Sequence, residues 1–389
     1  MTLVLAVIFW VSLAAVAWTY AGYPLLLLAL AHLRRPSQRP VDGMPPEPPV
    51  TVIISAYNEE KAIRQKLEST LALDYPAEKL EVIVASDSST DRTHEIVRAF
   101  APRGVRLVVL PARAGKTAAQ NLAAAAATGE LLIFTDATTA LNRDSVRQLG
   151  ACFADPRVGC AGAELEYVSE GGSAVGKGGG LYWRYEKRVK ELEAAVSTLI
   201  GVSGCLYAVR ASAYRPIEPD LISDFVIAGD VFQRGFITVY GGGAVSSERT
   251  HEETGEEFEM RVRVIIRTIN ALVRRARMLN PFRYGFFSFQ LFSHKVLRYL
   301  VPELLLAILA SGLWLALRGG AAAPVYRALT VAQLALYLAA AVGWVRQRLG
   351  LRLPLVHIPF YFLVVNLAAL WALALYLRGE RKVTWTTVR

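Results

Sequence analysis

Residues 1–31 carry no charged side chain, and three further apolar runs fill 299–317, 328–345 and 353–377. A helix needs about 20 apolar residues to cross a hydrocarbon core about 30 Å thick. The first and last runs meet that length alone, and the middle two meet it as a pair. These runs explain a mean hydropathy of +0.33. Between them, roughly 48–275 reads as an ordinary charged globular sequence, within the size of one or two domains. The expected plan is one membrane span at 1–33, a linker at 34–49, a cytosolic domain at 50–277, an amphipathic interfacial helix at 278–298, three spans within 299–377 and a tail at 378–389.

The first run has no basic leader and ends at Arg34-Arg35 instead of a small-residue cleavage site, so it reads as a retained anchor. Positive charge after it and none before it places the N-terminus outside and the central domain in the cytosol of a cell (inner or plasma) membrane. Three more spans put the tail outside, against that tail's own basic charge. The prolines between Pro36 and Pro49 mark an extended linker.

The net charge is +10, and nine Lys or Arg residues fall between 261 and 298, with aromatics such as Phe282, Tyr284 and Phe286 among them. Beside a span, that mixture points to membrane lipid and away from nucleic acid. Cys152, Cys160 and Cys205 show no metal spacing and read as reduced thiols.

In the middle of the chain, strands alternate with helices. The expected strands are 50–54, 81–85, 105–110 and 131–136. The helices are 59–71, 91–100 and 116–127, with two later ones at 181–196 and 257–277. This alternation predicts parallel βαβ units and an α/β, Rossmann-related, mostly parallel sheet. Gly171, Gly172, Gly176, Gly178, Gly179 and Gly180 read as a flexible loop. Three strands end in polar turns: Ser55 to Glu60, Ser86 to Asp91 and Thr135 to Thr139. Ligands of open α/β sheets bind outside the carboxyl ends of the strands, which gathers Tyr57, Glu59, Asp87 and Asp136. Neither a Gly-x-Gly-x-x-Gly nor a Walker-type loop follows the first strand, which argues against dinucleotide and nucleoside-triphosphate folds.

SAYNEE, SDSSTD, GKTAAQN, FTDATT, GCLYAVR and LISDFV follow one another in an order and spacing that resembles the membrane-bound, inverting family-two glycosyltransferases, among them the cellulose, chitin-oligosaccharide and hyaluronan synthases. The resemblance spans about residues 50–270. It implies a GT-A-like fold, a nucleotide-sugar donor (a UDP-sugar by family habit), Mg²⁺ or Mn²⁺, and a glycan or lipid-linked acceptor, with accessory export subunits as further partners. By position, it implies that Ala56, Tyr57 and Glu59 line the nucleoside site and that Asp87 contacts base and ribose. Lys116 and Arg263 would face the diphosphate, and Asp136 would be the first aspartate of Asp-x-Asp. Gly204 and Cys205 would lie near the acceptor, and Asp224 would be the general base.

Two departures stand out. Thr138 replaces the second aspartate, which leaves a metal to Asp136 and a hydroxyl. Met260 and Val264 replace the glutamine and tryptophan of Gln-x-x-Arg-Trp, which bears on polymer synthesis. His251 reads as part of an acidic loop over the site, with a substitute metal ligand as the alternative. Glu303 and His357 fall inside apolar runs, where ionisable groups usually face a protein interior or a watery path. Two other readings stay open: transfer to a polyprenyl phosphate, and a non-catalytic membrane scaffold related to these enzymes.

Overall fold

The computed structural model describes residues 1–33, 47–168, 174–249, 254–349 and 356–381. Most of the Pro-rich linker, His251, Gly171, Gly172 and most of the tail lie outside them.

Among the described residues, eight strands form one sheet in the order β3-β2-β1-β4-β7-β6-β8-β5. They are β1 (Val50–Ala56), β2 (Leu80–Ser86), β3 (Val105–Val109), β4 (Leu131–Asp136), β5 (Ala140–Leu141), β6 (Val158–Val168), β7 (Leu206–Arg210) and β8 (Ile237–Arg249). The β1–β2, β2–β3, β1–β4 and β6–β8 pairs are parallel, and the β4–β7, β6–β7 and β5–β8 pairs are antiparallel. The α/β expectation holds. Its parallel part is the first half of the sheet, and the second half is mixed.

β1 and β4 are apolar on both sides because both faces are covered. Val52, Ile54 and Ile133 pack on one face with Ile63, Leu67 and Leu149. Ile53, Leu132 and Phe134 pack on the other with Ala119, Ala123 and Val226. The order 3-2-1-4 reverses direction between β1 and β4, which opens a crevice at their carboxyl ends. Register places Ser55 opposite Asp136 across that crevice, and Ala56 opposite Ser86.

The glycine stretch before residue 181 is not a loop where it is described. The Ala174–Val196 helix runs through Gly176 to Gly180. Segment 278–298 is divided at Gly285, whose φ of +53° breaks the helix. From Phe286, one helix of 33 residues continues to Arg318.

Among the described residues, four helices are long and apolar enough to cross a membrane: Thr2–Leu33, Phe286–Arg318, Ala323–Arg348 and His357–Leu377. Phe9 of the first packs on Ile308, Leu315 and Tyr326. Their outward faces expose Val11, Leu317, Val331 and Leu338, an apolar surface suited to lipid. Apolar contacts join them to the sheet domain. Tyr23 and Leu27 pack on Val189, Leu192 and Val196, and Ala368, Ala369 and Ala372 pack on Val262, Ile265 and Ile266. The first and second of these helices each contain a π turn, Trp18–Gly22 and Phe292–Val296, joined by Trp18 Nε1 donating to Ser293 Oγ at 3.2 Å.

Candidate active site

The turns after β1 and β2 are sewn together. Asn58 and Ser88 take positive φ values of 54° and 57°, a conformation rare for side-chain-bearing residues and common at functional sites. Asn58 N donates to Ser89 Oγ (3.0 Å), Thr90 N donates to Asn58 Oδ1 (2.8 Å), and Glu59 N donates to Thr93 Oγ1 (2.8 Å). Asp87 is fully buried beneath them. Its Oδ1 accepts from the backbone N–H of Ala114 (2.7 Å) and Gly115 (2.9 Å), which fixes the entry to the Lys116–Ala126 helix. Arg113 stacks 3.9 Å over the Tyr57 ring, with its Nε 3.8 Å from Asp87 Oδ2.

Below this rim lies a cavity of about 1680 Å³, larger than a single small-ligand pocket. Glu59, Lys116, Asp136, Thr138, Gly204, Cys205, Asp224 and Arg263 all line it, whereas Ala56, Tyr57 and Asp87 do not. Lys116 Nζ bonds Asp136 Oδ1 at 2.5 Å and the Gly204 carbonyl at 3.3 Å. Burial works against its charge, but Asp136 and Asp224 outweigh that and hold its pKa above the ordinary lysine value. Asp224 stands in the first turn of the Ser223–Gln233 helix. Its Oδ1 is buried without a hydrogen-bond partner among the described residues. Buried polar groups are rarely left so. An unsatisfied carboxylate oxygen in a cavity wall is suited to accept a proton or a hydroxyl.

Gly204 is pressed against this group, since a Cβ there would come 2.8 Å from Asp224 Oδ2. The Cys205 thiol donates to Glu248 Oε2 at 3.1 Å. Burial, together with Glu248 and Asp136, pushes its pKa well above the ordinary range, so the thiol stays neutral and is no nucleophile. The Arg263 guanidinium has no hydrogen bond or ion pair within the described residues. Burial lowers its pKa, opposed by Asp136 and Glu248.

Two cations at this site were not singled out from the sequence. Arg267 lies one turn beyond Arg263 on the same helix face. It donates to the Leu221 carbonyl (2.6 Å) and to Thr117 Oγ1 (3.2 Å), bracing the approach to Asp224. Lys66 shares the buried face of the Ile63–Leu71 helix with Ile63, Leu67 and Thr70. A lysine on an apolar stripe was the signal available.

Among the described residues no cluster of three or more His, Cys, Asp or Glu side chains is arranged to hold a metal ion. The donors in place are the Asp136 carboxylate and the exposed Thr138 hydroxyl, with Glu59 in the same lining. Burial, with Asp136 and Asp91 nearby, raises Glu59 to about 7. A hard divalent cation would relieve that crowding. So small an oxygen set fits an ion carried largely by substrate phosphates.

The far end of the cavity reaches the apolar helices at Tyr20, Asn366 and Ala369. There the ring nitrogens of His294 lie 2.8 Å from Glu193 and 3.0 Å from Glu186, and Arg298 donates to Glu186 at 2.5 Å.

Residues 51–215 match the family described as Glycosyl transferase family 2. A probable glycosyltransferase, YdaM, of Bacillus subtilis (strain 168) is 38% identical over 101 residues, which are 25% of this chain and 24% of that protein. An N-acetylglucosaminyltransferase of Rhizobium meliloti (strain 1021) is 33% identical over 162 residues, 38% of each chain. The matches thus span well under half the length of these relatives. The solved mannosyltransferase PcManGT from Pyrobaculum calidifontis, in complex with GDP-Man and Mn²⁺, has the same fold over 94% of this chain and 99% of its own, with a TM-score of 0.67 and 24% identity. The motif resemblance is borne out: residues 51–215 are a Glycosyl transferase family 2 domain in a GT-A-like fold.

Proposed function

We propose that this protein is an inverting glycosyltransferase that moves a sugar from a nucleotide-diphosphate donor to a glycan or lipid-linked acceptor at a membrane. The observation that carries this is the convergence of Lys116, Asp136, Gly204 and Asp224 in one cavity. Inverting transfer is a single displacement at the anomeric carbon. The acceptor hydroxyl needs a base positioned before it is tuned, and the unsatisfied Asp224 Oδ1 supports that role. The departing diphosphate gathers charge, which Lys116 and Arg263, both in the cavity lining, would stabilise. Asp136 and Thr138 would hold Mg²⁺ or Mn²⁺, which when bound supplies further charge neutralisation to the diphosphate. Tyr57 and the Ala56 strand end would frame the nucleoside at the rim, next to Glu59, with the buried Asp87 holding the Ala114–Gly115 backbone beneath them. The name of the Rhizobium relative makes N-acetylglucosamine the first sugar to try, on the UDP carrier that the family resemblance implies. The extension of the cavity to Tyr20, Asn366 and Ala369 favours a lipid-linked acceptor over a soluble one. The four apolar helices and Arg34-Arg35 support a multi-pass protein with its catalytic domain in the cytosol.

The test is nucleotide diphosphate release by detergent-purified protein across a panel of UDP- and GDP-sugars with Mn²⁺. Turnover with one donor, lost in Asp224→Asn, is the expected result. Binding without turnover of any donor would favour the scaffold reading, and full turnover by Asp224→Asn would remove the base assignment.

A further inference from the structure

Only 3% of Lys66 is exposed. No carboxylate pairs with it among the described residues. Its ammonium donates to Thr135 Oγ1 at 3.0 Å and to the Thr139 carbonyl at 2.6 Å. An ammonium has three donors, so these two neutral acceptors leave one over. Lys66 lines the cavity together with Asp136. Burial pulls its pKa down to about 7, with Asp136 opposing, and an anion arriving in the cavity adds to Asp136 in favouring the charged form. Burying a cation without a counter-ion is costly. A cavity wall that keeps one is built for an anion that comes and goes.

The two acceptors bracket the turn that carries Asp136 and Thr138. Thr135 Oγ1 also donates to the Cys205 carbonyl at 2.8 Å, so the same lysine steadies the Gly204–Cys205 segment. In the free protein Asp136 is engaged by Lys116 at 2.5 Å. A diphosphate competes for Lys116, and the pair must open for both to be used. Asp136 and the diphosphate then bring several negative charges together, which Lys116 and a divalent ion on Asp136 neutralise only in part. Lys66, pinned from behind, is the charge that does not move.

We propose that Lys66 is a positioning residue for the donor diphosphate: a fixed, buried cation that holds the Asp136–Thr138 turn and offsets Asp136 when Lys116 swings to the phosphates. The proposal rests on the glycosyltransferase reading above. Lys116 is the mobile cation of the site and Lys66 the static one.

The test titrates UDP and GDP, with Mn²⁺, into the full-length chain in detergent, using wild type, Lys66→Gln and Lys66→Met. Gln keeps an amide donor for Thr135 and Thr139 without the charge, and Met removes both. Uridine and guanosine report on the nucleoside end alone. The expected result is at least a roughly tenfold loss of diphosphate affinity in both variants, with nucleoside affinity unchanged. Wild-type diphosphate affinity in Lys66→Gln overturns the proposal. So does an equal loss of nucleoside and diphosphate affinity, which marks a purely structural residue. A wild-type protein that binds neither diphosphate sinks the transferase reading itself, and Lys66's role with it.

Discussion

Gly204 stands against Asp224 with no room for a side chain: a Cβ would come 2.8 Å from Oδ2 and 3.5 Å from Lys116 Nζ. Any side chain there must push the carboxylate aside. Gly204→Ala is therefore expected to lower kcat about 100-fold, the scale that a displacement near 1 Å brings. Donor KM should change little, because the nucleoside rim is untouched. Steady-state diphosphate release measures both. A variant with wild-type kcat would show that the Asp224 carboxylate is not held in place for chemistry.

Glu59 sets a pH dependence on stability. Burial, then Asp136 and Asp91, raise its pKa to about 7, against about 4.3 in an unfolded chain. Between those values the native state holds a proton that the unfolded chain has lost, so stability falls as pH rises through the window. Glu59→Gln removes that loss. Its melting temperature should exceed the wild type's at pH 8, with the gap closing by pH 4. Scanning fluorimetry at both values checks the sign, and a gap that is the same at both would exclude Glu59 as its source.

Much of this was legible beforehand where burial speaks through composition. β1, β2 and β4 are continuous apolar runs because helices cover both faces, and their polar exits mark the crevice. β6 and β8 were not read. They carry small residues, including Gly241 to Gly243, which have low strand propensity. The start of the Ala174–Val196 helix was hidden by glycines, each about 1 kcal/mol less favourable than alanine in a helix. Lys66 and Arg267 were missed for a different reason. A basic residue on a helix is normally solvated, and only the folded sheet shows that these two point inward.

Beside the apolar helices, Glu186 is the shared partner of three basic residues: His294 at 3.0 Å, Arg298 at 2.5 Å and Lys295 at 3.7 Å. Glu186→Ala leaves Arg298 buried without its carboxylate, a change that costs about 3–5 kcal/mol. The expected outcome is a marked fall in melting temperature in detergent, with Glu186→Gln falling less. An unchanged melt would mean that water or lipid already satisfies Arg298.

Thr138 decides how a metal is held. With one carboxylate and one hydroxyl in the turn, Mn²⁺ alone should bind weakly, and UDP or GDP should tighten it by supplying phosphate oxygens. Thr138 is exposed on the cavity wall, so Thr138→Asp adds a second carboxylate without disturbing the core. That variant should bind Mn²⁺ without nucleotide roughly tenfold more tightly, because affinity for hard cations follows the number of charged ligands. Its gain from added nucleotide should shrink, since the protein now supplies what the diphosphate had supplied. Electron paramagnetic resonance of free Mn²⁺ reads both quantities. Tight wild-type binding without nucleotide would contradict this view, because Asp136 and Thr138 could not provide it and the ion would have to sit on other residues.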